Sequence, residues 1–178
     1  MPKVLVPLAD GFEDIEAVTI IDVLRRAGIE VETAGLTGSI VTSKCGIRMH
    51  VDNRIVDMDT LKHDGIIIPG GSDSVATLMK SEKLRTIVRL LNDNGKMMAA
   101  ICAGPLLFAD LGILDDKRAT IYPGLEKKLD RPRDDKVVID GNIITSQGPG
   151  TAIDFSLAIV QNLLGKPTAN KLKKQLIA

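Results

Sequence analysis

Short apolar runs that alternate with helical patterns are the feature of this sequence that most constrains its fold. Five runs are apolar enough to form buried strands: Val4–Leu8, Ile29–Ala34, Gly65–Pro69, Met97–Ile101 and Ile143–Thr145. Helical patterns occupy other segments: Glu13–Ala27, Ser81–Asn92, Pro105–Leu111 and Ala152–Leu164. Continuous apolar strands separated by helices are typical of a parallel sheet buried on both faces. We therefore predict an α/β fold with a mostly parallel sheet between two layers of helices.

Hairpins and loops account for much of the remaining sequence. Val137–Ile144 contains Asp140-Gly141-Asn142 between β-branched runs, which predicts a tight antiparallel turn. Ile47–Val51 is expected to pair outside the main sheet. The charged stretch 126–136 is predicted to be an exposed loop, and 170–178 a short helix or a frayed end.

Length and charge limit the classes of function. With 178 residues, 44% of them hydrophobic, the chain is expected to form one domain over residues 1–178. Its 23 basic and 23 acidic residues give a formal net charge of zero, so no electrostatic field favours nucleic acid or an anionic membrane. The one candidate membrane span, 97–114, is interrupted by Gly104-Pro105 and contains Asp110, so no transmembrane segment is predicted.

Cys45 and Cys102 lie far apart and lack the paired spacing of a disulfide framework or a zinc site. We expect no metal, and a reducing, cytoplasmic setting.

The segment around Cys102 predicts a nucleophile. An apolar strand runs through Ile101 into Cys102, and the small residues Ala103 and Gly104 lead to a helix near Pro105. A cysteine at the start of a helix is exposed to the positive end of the backbone dipole and to free N–H groups, which favour the thiolate. The turn resembles the nucleophile elbow of hydrolases in its order of strand, turn and helix, although not in its residues. The alternative is a packed, inert cysteine, because free cysteine is often buried.

Other candidate residues follow the same edge of the predicted sheet, where ligands bind in open parallel sheets. Glu16 falls on the apolar face of the first helix, where burial is expected to raise its pKa and make it a proton donor. The alternative is an ordinary first-turn acid that favours the helix N-terminus. Gly70 and Gly71 form either a plain turn or, with Ala103, an oxyanion hole. Pro149 lies in a loop that enters the last long helix.

These motifs together resemble the ThiJ/PfpI superfamily over nearly the whole chain, and within it the branch of the Parkinson-disease-associated protein deglycase. The segments that carry the resemblance are Glu13–Val18, Leu24–Ile29, Ile68–Gly71, Ala99–Pro105 and Thr145–Thr151.

The resemblance implies a flavodoxin-like, Rossmann-like three-layer sandwich with a nucleophile elbow. It also implies Cys102 as nucleophile and oxidisable thiol, protonated Glu16 as its partner, and oxyanion amides at Gly71 and Ala103. Gly70, Tyr122 and Pro149 complete the expected substrate-binding set. Members of this branch are homodimers that pack the first helix against its mate, and they need neither metal nor organic cofactor.

Two positions depart from the family pattern. Tyr122 stands where many members have a histidine near the thiol, and a neutral phenol is a poor base near pH 7. It is expected either to orient substrate or to pack at the rim. Cys45 falls where this branch often has a basic residue facing the pocket, which predicts weaker anion binding. His50 and His63 are interpreted as ordinary surface or hairpin residues.

Three classes of function follow from these residues. The first is a glutathione-independent glyoxalase or deglycase acting on methylglyoxal or its protein adducts. The second is an oxidative-stress sensor or redox-regulated chaperone that uses oxidation of Cys102. The third is an intracellular cysteine peptidase, for which Ala103 replaces the histidine that follows the cysteine in such enzymes.

Overall fold

A seven-stranded sheet forms the centre of the fold. The structure, a computed structural model, describes residues 1–58 and 62–178. Its helices are α1 (Asp14–Arg26), α2 (Ser72–Met79), α3 (Glu82–Asp93), α4 (Pro105–Asp110), α5 (Ala152–Leu164) and α6 (Lys166–Leu176). Its strands are β1 (Lys3–Leu8), β2 (Glu30–Gly35), β3 (Ile40–Thr42), β4 (Arg48–His50), β5 (Asn53–Arg54), β6 (Gly65–Ile68), β7 (Met97–Ile101), β8 (Arg118–Ala119), β9 (Arg131–Pro132), β10 (Val137–Asp140) and β11 (Ile143–Ser146).

The main sheet has the strand order β10-β11-β7-β6-β1-β2-β5. All its neighbouring pairs are parallel except β10 and β11, which form the predicted antiparallel hairpin. Strands β1, β6, β7 and β11 therefore end at the same edge. The residues that follow these strands are brought together there.

The sheet separates two hydrophobic cores. One core joins α1, α5 and α6 to side chains such as Val6, Ile67 and Ala99. The other joins α2, α3 and α4 to the alternate strand residues, such as Ile66 and Met98. Successive residues of a strand point to opposite faces, so apolar residues at every position of a strand fill both cores. The predicted three-layer α/β architecture is confirmed.

Most predicted elements agree with the structure to within a residue or two. Helix α1 begins after Glu13, whose side chain accepts a hydrogen bond from the Ile15 N–H. Strands β3 and β4 form a separate two-stranded sheet, called here the ribbon, as the prediction for Ile47–Val51 required. Helix α2 was not predicted.

The C-terminal segment is helical, which is one of the two alternatives predicted for residues 170–178. Helix α6 covers eleven residues and buries Ala169 and Leu172 against α5. Across the described residues, no helix combines the length and the apolar character needed to cross a membrane.

Candidate active site

Cys102 lies in a sharp turn between β7 and α4. Its φ is 62°, a left-handed conformation that costs a non-glycine residue about 1–3 kcal/mol. Two backbone hydrogen bonds hold it there: the Cys102 N–H donates to the Ser146 carbonyl at 3.0 Å, and the Tyr122 N–H donates to the Cys102 carbonyl at 3.0 Å. A strained residue fixed from two neighbouring segments is what a nucleophile elbow requires, and the predicted elbow is present.

Glycines around the elbow allow close approach of the backbone. A Cβ atom on Gly104 would lie 2.5 Å from the Ile68 carbonyl oxygen. One on Gly70 would lie 2.4 Å from Glu16 Oε2 and 2.5 Å from Cys102 Cβ. Neither distance is compatible with a side chain, so these glycines set the spacing between the elbow, β6 and Glu16.

Glu16 is fully buried behind the elbow, on the inner face of α1. Its Oε2 accepts a 2.6 Å hydrogen bond from the Gly70 N–H, whereas Oε1 has no hydrogen-bond partner among the described residues. Burial raises its pKa to about 7, against the opposing effects of the Gly70 amide and Cys102. The sequence predicted this rise in pKa. Near neutral pH, Glu16 is therefore present both as the protonated acid and as the carboxylate.

The thiol of Cys102 does not behave as the sequence predicted. Burial, followed by the neighbouring Glu16 carboxylate, raises its pKa to about 12. The backbone amides of Ala103 and Gly71 act in the opposite direction but do not prevail. The expectation of a favoured thiolate is therefore wrong for the resting site, because it counted the helix and omitted burial and Glu16.

The two glycines that follow β6, Gly70 and Gly71, have different roles. The Gly71 amide interacts with the sulfur, together with that of Ala103, and their role as an oxyanion hole stays a prediction. Gly70 differs from the prediction, because its N–H is used by Glu16 and its carbonyl accepts from the Glu13 N–H at 3.1 Å. Gly70 thus positions two glutamates and does not present its amide to a substrate.

A cavity of about 260 Å³ opens above the thiol. It is lined by Glu13, Lys44, Gly71, Ser72, Cys102, Ala103, Tyr122, Leu125 and Pro149. Tyr122 is 48% exposed and packs its ring near Gly148, at the rim. The predicted residues that meet at this cavity are Cys102, Gly71, Ala103, Tyr122 and Pro149, while Glu16 lies beneath the sulfur.

Two charged residues of the cavity were missed as site residues by the sequence analysis. Lys44 brings an ammonium group, although the departure at Cys45 had predicted the loss of a basic residue here. Its backbone N–H donates to the Phe12 carbonyl at 2.8 Å, which ties the ribbon to the start of α1. Glu13 contributes a carboxylate to the same cavity. No single-sequence pattern places Lys44, because its position depends on a contact between distant segments.

Cys45 is exposed, and a hydrogen bond from its N–H to Asp14 Oδ2 measures 3.2 Å. The hydrogen bond between the thiol and Asp14, with the charge of that carboxylate, raises the pKa of the thiol. Asp14 also accepts a hydrogen bond from the Ser43 hydroxyl. Cys45 and Cys102 both carry free thiols.

His50 is exposed, as predicted, but the interpretation of His63 is wrong. His63 is 1% exposed and its Nε2 lies 2.8 Å from Glu32 Oε2. Lys3 makes a salt bridge to the same Glu32 oxygen at 2.8 Å. This cluster lies at the start of β6, at the opposite end of the sheet from the cavity. Among the described residues, no group of three or more His, Cys, Asp or Glu side chains is placed to hold a metal ion.

Comparison with known proteins gives consistent matches. The model of the DJ-1/PfpI family matches residues 2–162. Protein DJ-1 homolog B of Arabidopsis thaliana is 39% identical over 98% of this chain, which spans only 41% of that longer relative. Glutathione-independent glyoxalase DJR-1.2 of Caenorhabditis elegans is 35% identical, over 97% of this chain and 94% of its own length. The solved structure of oxidized Toxoplasma gondii DJ-1 superposes with a TM-score of 0.96 at 36% identity, covering 99% of this chain and 98% of that one.

Proposed function

The chain belongs to the DJ-1/PfpI family, and on that basis we propose that it is a cofactor-independent glyoxalase or deglycase acting on methylglyoxal or its protein adducts. The observation that carries the proposal is the pairing of Cys102 with buried Glu16 beneath an open cavity. The name of the Caenorhabditis elegans relative, a glutathione-independent glyoxalase, supports the same reaction.

The raised pKa of both groups gives Glu16 a definite role. Because the thiol keeps its proton near pH 7, attack requires a base, and Glu16 has a pKa of about 7 and one oxygen without a partner. Glu16 takes the thiol proton as the sulfur bonds to the aldehyde carbon, C1. It then returns that proton to the C1 oxygen, which completes a hemithioacetal.

The amides of Gly71 and Ala103 stabilise the negative charge on the C1 oxygen during this attack. A proton then moves from C1 to C2, which converts the hemithioacetal into a lactoyl thioester without any external oxidant. Water hydrolyses the thioester, releasing lactate and restoring the thiol. Attack on a hemiaminal adduct of a protein proceeds through the same thiol, and the protein amine leaves with a proton.

Lactate formation tests the proposal directly. Metal-free protein is incubated with methylglyoxal in the absence of glutathione, beside Cys102→Ser, Glu16→Gln, buffer alone and a free thiol, and D- and L-lactate are measured. We expect turnover of one enantiomer by the wild type, none by Cys102→Ser and a large loss in Glu16→Gln. Lactate no faster than with the free thiol contradicts the glyoxalase.

A second candidate is a redox sensor or chaperone that uses oxidation of the same thiol. Glu16 Oε1 favours it, because a protonated carboxyl with no other partner is able to donate to a sulfinate oxygen. The existence of an oxidized form of the Toxoplasma gondii relative also supports it. Mass spectrometry after graded peroxide tests it: sulfinate at Cys102 should accumulate in the wild type and less in Glu16→Gln.

We also propose that the protein is a homodimer that packs α1 against its mate. The outer face of α1 exposes Ile15 and Val18, at 58% and 50%, beside a cavity of about 230 Å³ that Met49 and Ile21 line. Thiol chemistry at Cys102 requires a reducing compartment, which supports a cytoplasmic location.

A further inference from the structure

Glu13 and Lys44 are the charged side chains that line the cavity itself, within the described part of the chain. Glu16 lies beneath the sulfur and is occupied with the thiol proton and the Gly70 amide. Tyr122, at the position where many family members have a histidine, offers a phenol at the rim. The proposed reaction nevertheless needs a second proton transfer, between two carbon atoms of the bound substrate.

The backbone fixes Glu13 and Lys44 on either side of one peptide unit. The Glu13 N–H donates to the Gly70 carbonyl at 3.1 Å, and the Phe12 carbonyl accepts from the Lys44 N–H at 2.8 Å. Glu13 thus directly precedes the first residue of α1, and Lys44 is hydrogen-bonded to the residue before Glu13. Both residues line the cavity, together with Tyr122 and Pro149.

The side-chain charges are available to a ligand. Glu13 Oε1 accepts a long hydrogen bond of 3.4 Å from the Ile15 N–H, and no salt bridge to Glu13 or Lys44 occurs among the described residues. Both charges reach the reacting pair, since Glu13 raises the pKa of Glu16 and Lys44 lowers it. The cavity thus holds an unpaired carboxylate and an unpaired ammonium group. This pair suits a reaction in which a base removes a proton from the substrate and a negative charge develops on it.

We infer that Glu13 transfers the carbon-bound proton of the hemithioacetal and that Lys44 stabilises the enediolate formed in between. This inference rests on the proposed glyoxalase reaction. The Glu13 carboxylate takes the proton from C1, the C–H electron pair forms the C1–C2 double bond, and the C2 carbonyl oxygen becomes an anion beside the Lys44 ammonium. Glu13 returns the proton to C2, and the C1 hydroxyl proton passes to the C2 oxygen.

The atoms and electrons of this step balance within the substrate. C1 is oxidised to the thioester carbonyl, C2 is reduced to the alcohol, and both protein groups regain their starting charge. General acid–base catalysis of this kind contributes about 10²- to 10⁴-fold. The contribution of Lys44 is expected to be smaller, about 10- to 100-fold, because its charge is partly screened by solvent.

The test separates thiol addition from isomerisation. Glu13→Gln, Lys44→Met and Lys44→Arg are compared with Glu82→Gln and Lys83→Met, matched charge changes on exposed positions of α3. Rapid acid quenching and intact-mass measurement follow the methylglyoxal adduct on Cys102, and lactate is measured in H₂O and in D₂O. Thermal melts confirm that each variant is folded.

We expect Glu13→Gln to form the adduct like the wild type but to lose about 10²-fold or more in lactate formation, chiefly in kcat. Lys44→Arg should restore much of the loss in Lys44→Met. Lactate made by the wild type in D₂O should retain part of the substrate proton at C2, because Glu13 carries that proton from C1 and exchanges it with solvent only between the two transfers. Lactate formation by Glu13→Gln at the wild-type rate overturns the inference but not the proposed function. Failure of that variant to form the adduct does the same. A wild type that forms no lactate overturns the proposed function and the inference with it.

Discussion

Gly70 is a residue of the site that leaves no room for an added methyl group. Its N–H positions Glu16, and a Cβ atom would lie within 2.5 Å of both Glu16 Oε2 and Cys102 Cβ. We expect Gly70→Ala to destabilise the protein by about 1–3 kcal/mol, as overpacking does, and to lower aldehyde turnover by displacing the pair. Gly38→Ala is the control, because a Cβ atom there meets nothing within 4 Å. Equal melting temperatures for the two variants contradict this account.

Glu16 should make stability depend on pH in a direction opposite to that of a salt-bridged acid. Its pKa is raised from 4.5 to about 7 in the folded protein, so between these values the folded state binds more protons than the unfolded state. Stability therefore falls as pH rises through this window, by about 3 kcal/mol at 1.36 kcal/mol per pKa unit. Below pH 4.5 the loss is absent, and above pH 7 it is complete.

Denaturant unfolding of Glu16→Gln at several pH values measures this effect. Relative to the wild type, the variant should gain stability between pH 4.5 and 7 and show a constant difference outside that range. Glu82→Gln, on the exposed start of α3, should follow the wild type throughout. If the difference in unfolding free energy between Glu16→Gln and the wild type does not change with pH, then ionisation of Glu16 does not destabilise the folded state.

Sequence patterns identify residues whose role follows from their own element. Cys102 follows an apolar strand and precedes a helix, and Glu16 interrupts an apolar helical face, so both were predictable. Lys44 and His63 were not, because a contact with another segment decides their surroundings: the Phe12 carbonyl for Lys44 and the Glu32 carboxylate for His63. The prediction of a favoured thiolate at Cys102 was wrong for the same reason, because burial and the Glu16 carboxylate raise the pKa of this thiol.

Among the elements, the ribbon of β3 and β4 depends on α1 for its position. Asp14, in the first turn of α1, accepts hydrogen bonds from the Ser43 hydroxyl and the Cys45 N–H. Because Asp14 also raises the pKa of the Cys45 thiol, Asp14→Asn should lower that pKa and speed alkylation of Cys45 at a fixed pH.

Iodoacetamide labelling in a Cys102→Ser background isolates this thiol. The acceleration should shrink as salt is added, because Cys45 is exposed and its interaction with Asp14 is screened. Asp22→Asn, which removes an exposed carboxylate farther along α1, should leave the rate unchanged. Slower labelling in Asp14→Asn contradicts the proposed influence of the carboxylate.

Helix α2 shows why an element can escape sequence analysis. It has eight residues, and its N-cap, Gly71, has a φ of 97° and no side chain to cap the first turn. The usual start signals are absent because the backbone requires glycine here: a Cβ atom on Gly71 would lie 2.2 Å from the Gly11 carbonyl oxygen. By contrast, α3 begins after Ser81, which caps the Leu84 N–H, and was predicted within one residue.

At the scale of the whole molecule, the proposed dimer is tested by a charge on α1. Val18→Glu should convert a dimer to a monomer in analytical ultracentrifugation, because Val18 is half exposed on the face proposed to be buried between subunits. Leu90→Glu, an exposed apolar residue of α3, places the same charge on the other side of the sheet and should leave the dimer intact. A wild-type monomer at micromolar concentration contradicts the proposal at once.

The overall architecture was the most predictable feature, because it is encoded redundantly. Buried strands that are apolar at every position, such as Gly65–Ile68 and Met97–Ile101, require a covering layer on each face. The helices between them supply those layers. The loss of any single pattern, as with α2, leaves the arrangement determined by the others.

Strand β7 contributes alternate side chains to both hydrophobic cores, and Cys102 follows its last residue. Loosening of either layer of helices therefore reaches the same sulfur atom through the strand that supports it. Since that thiol is partly exposed in an open cavity of the folded protein, its rate of reaction with an added aldehyde or alkylating reagent reports on the geometry of the elbow. Heat or mutation that shifts either layer of helices is therefore expected to change the reactivity of this one sulfur atom.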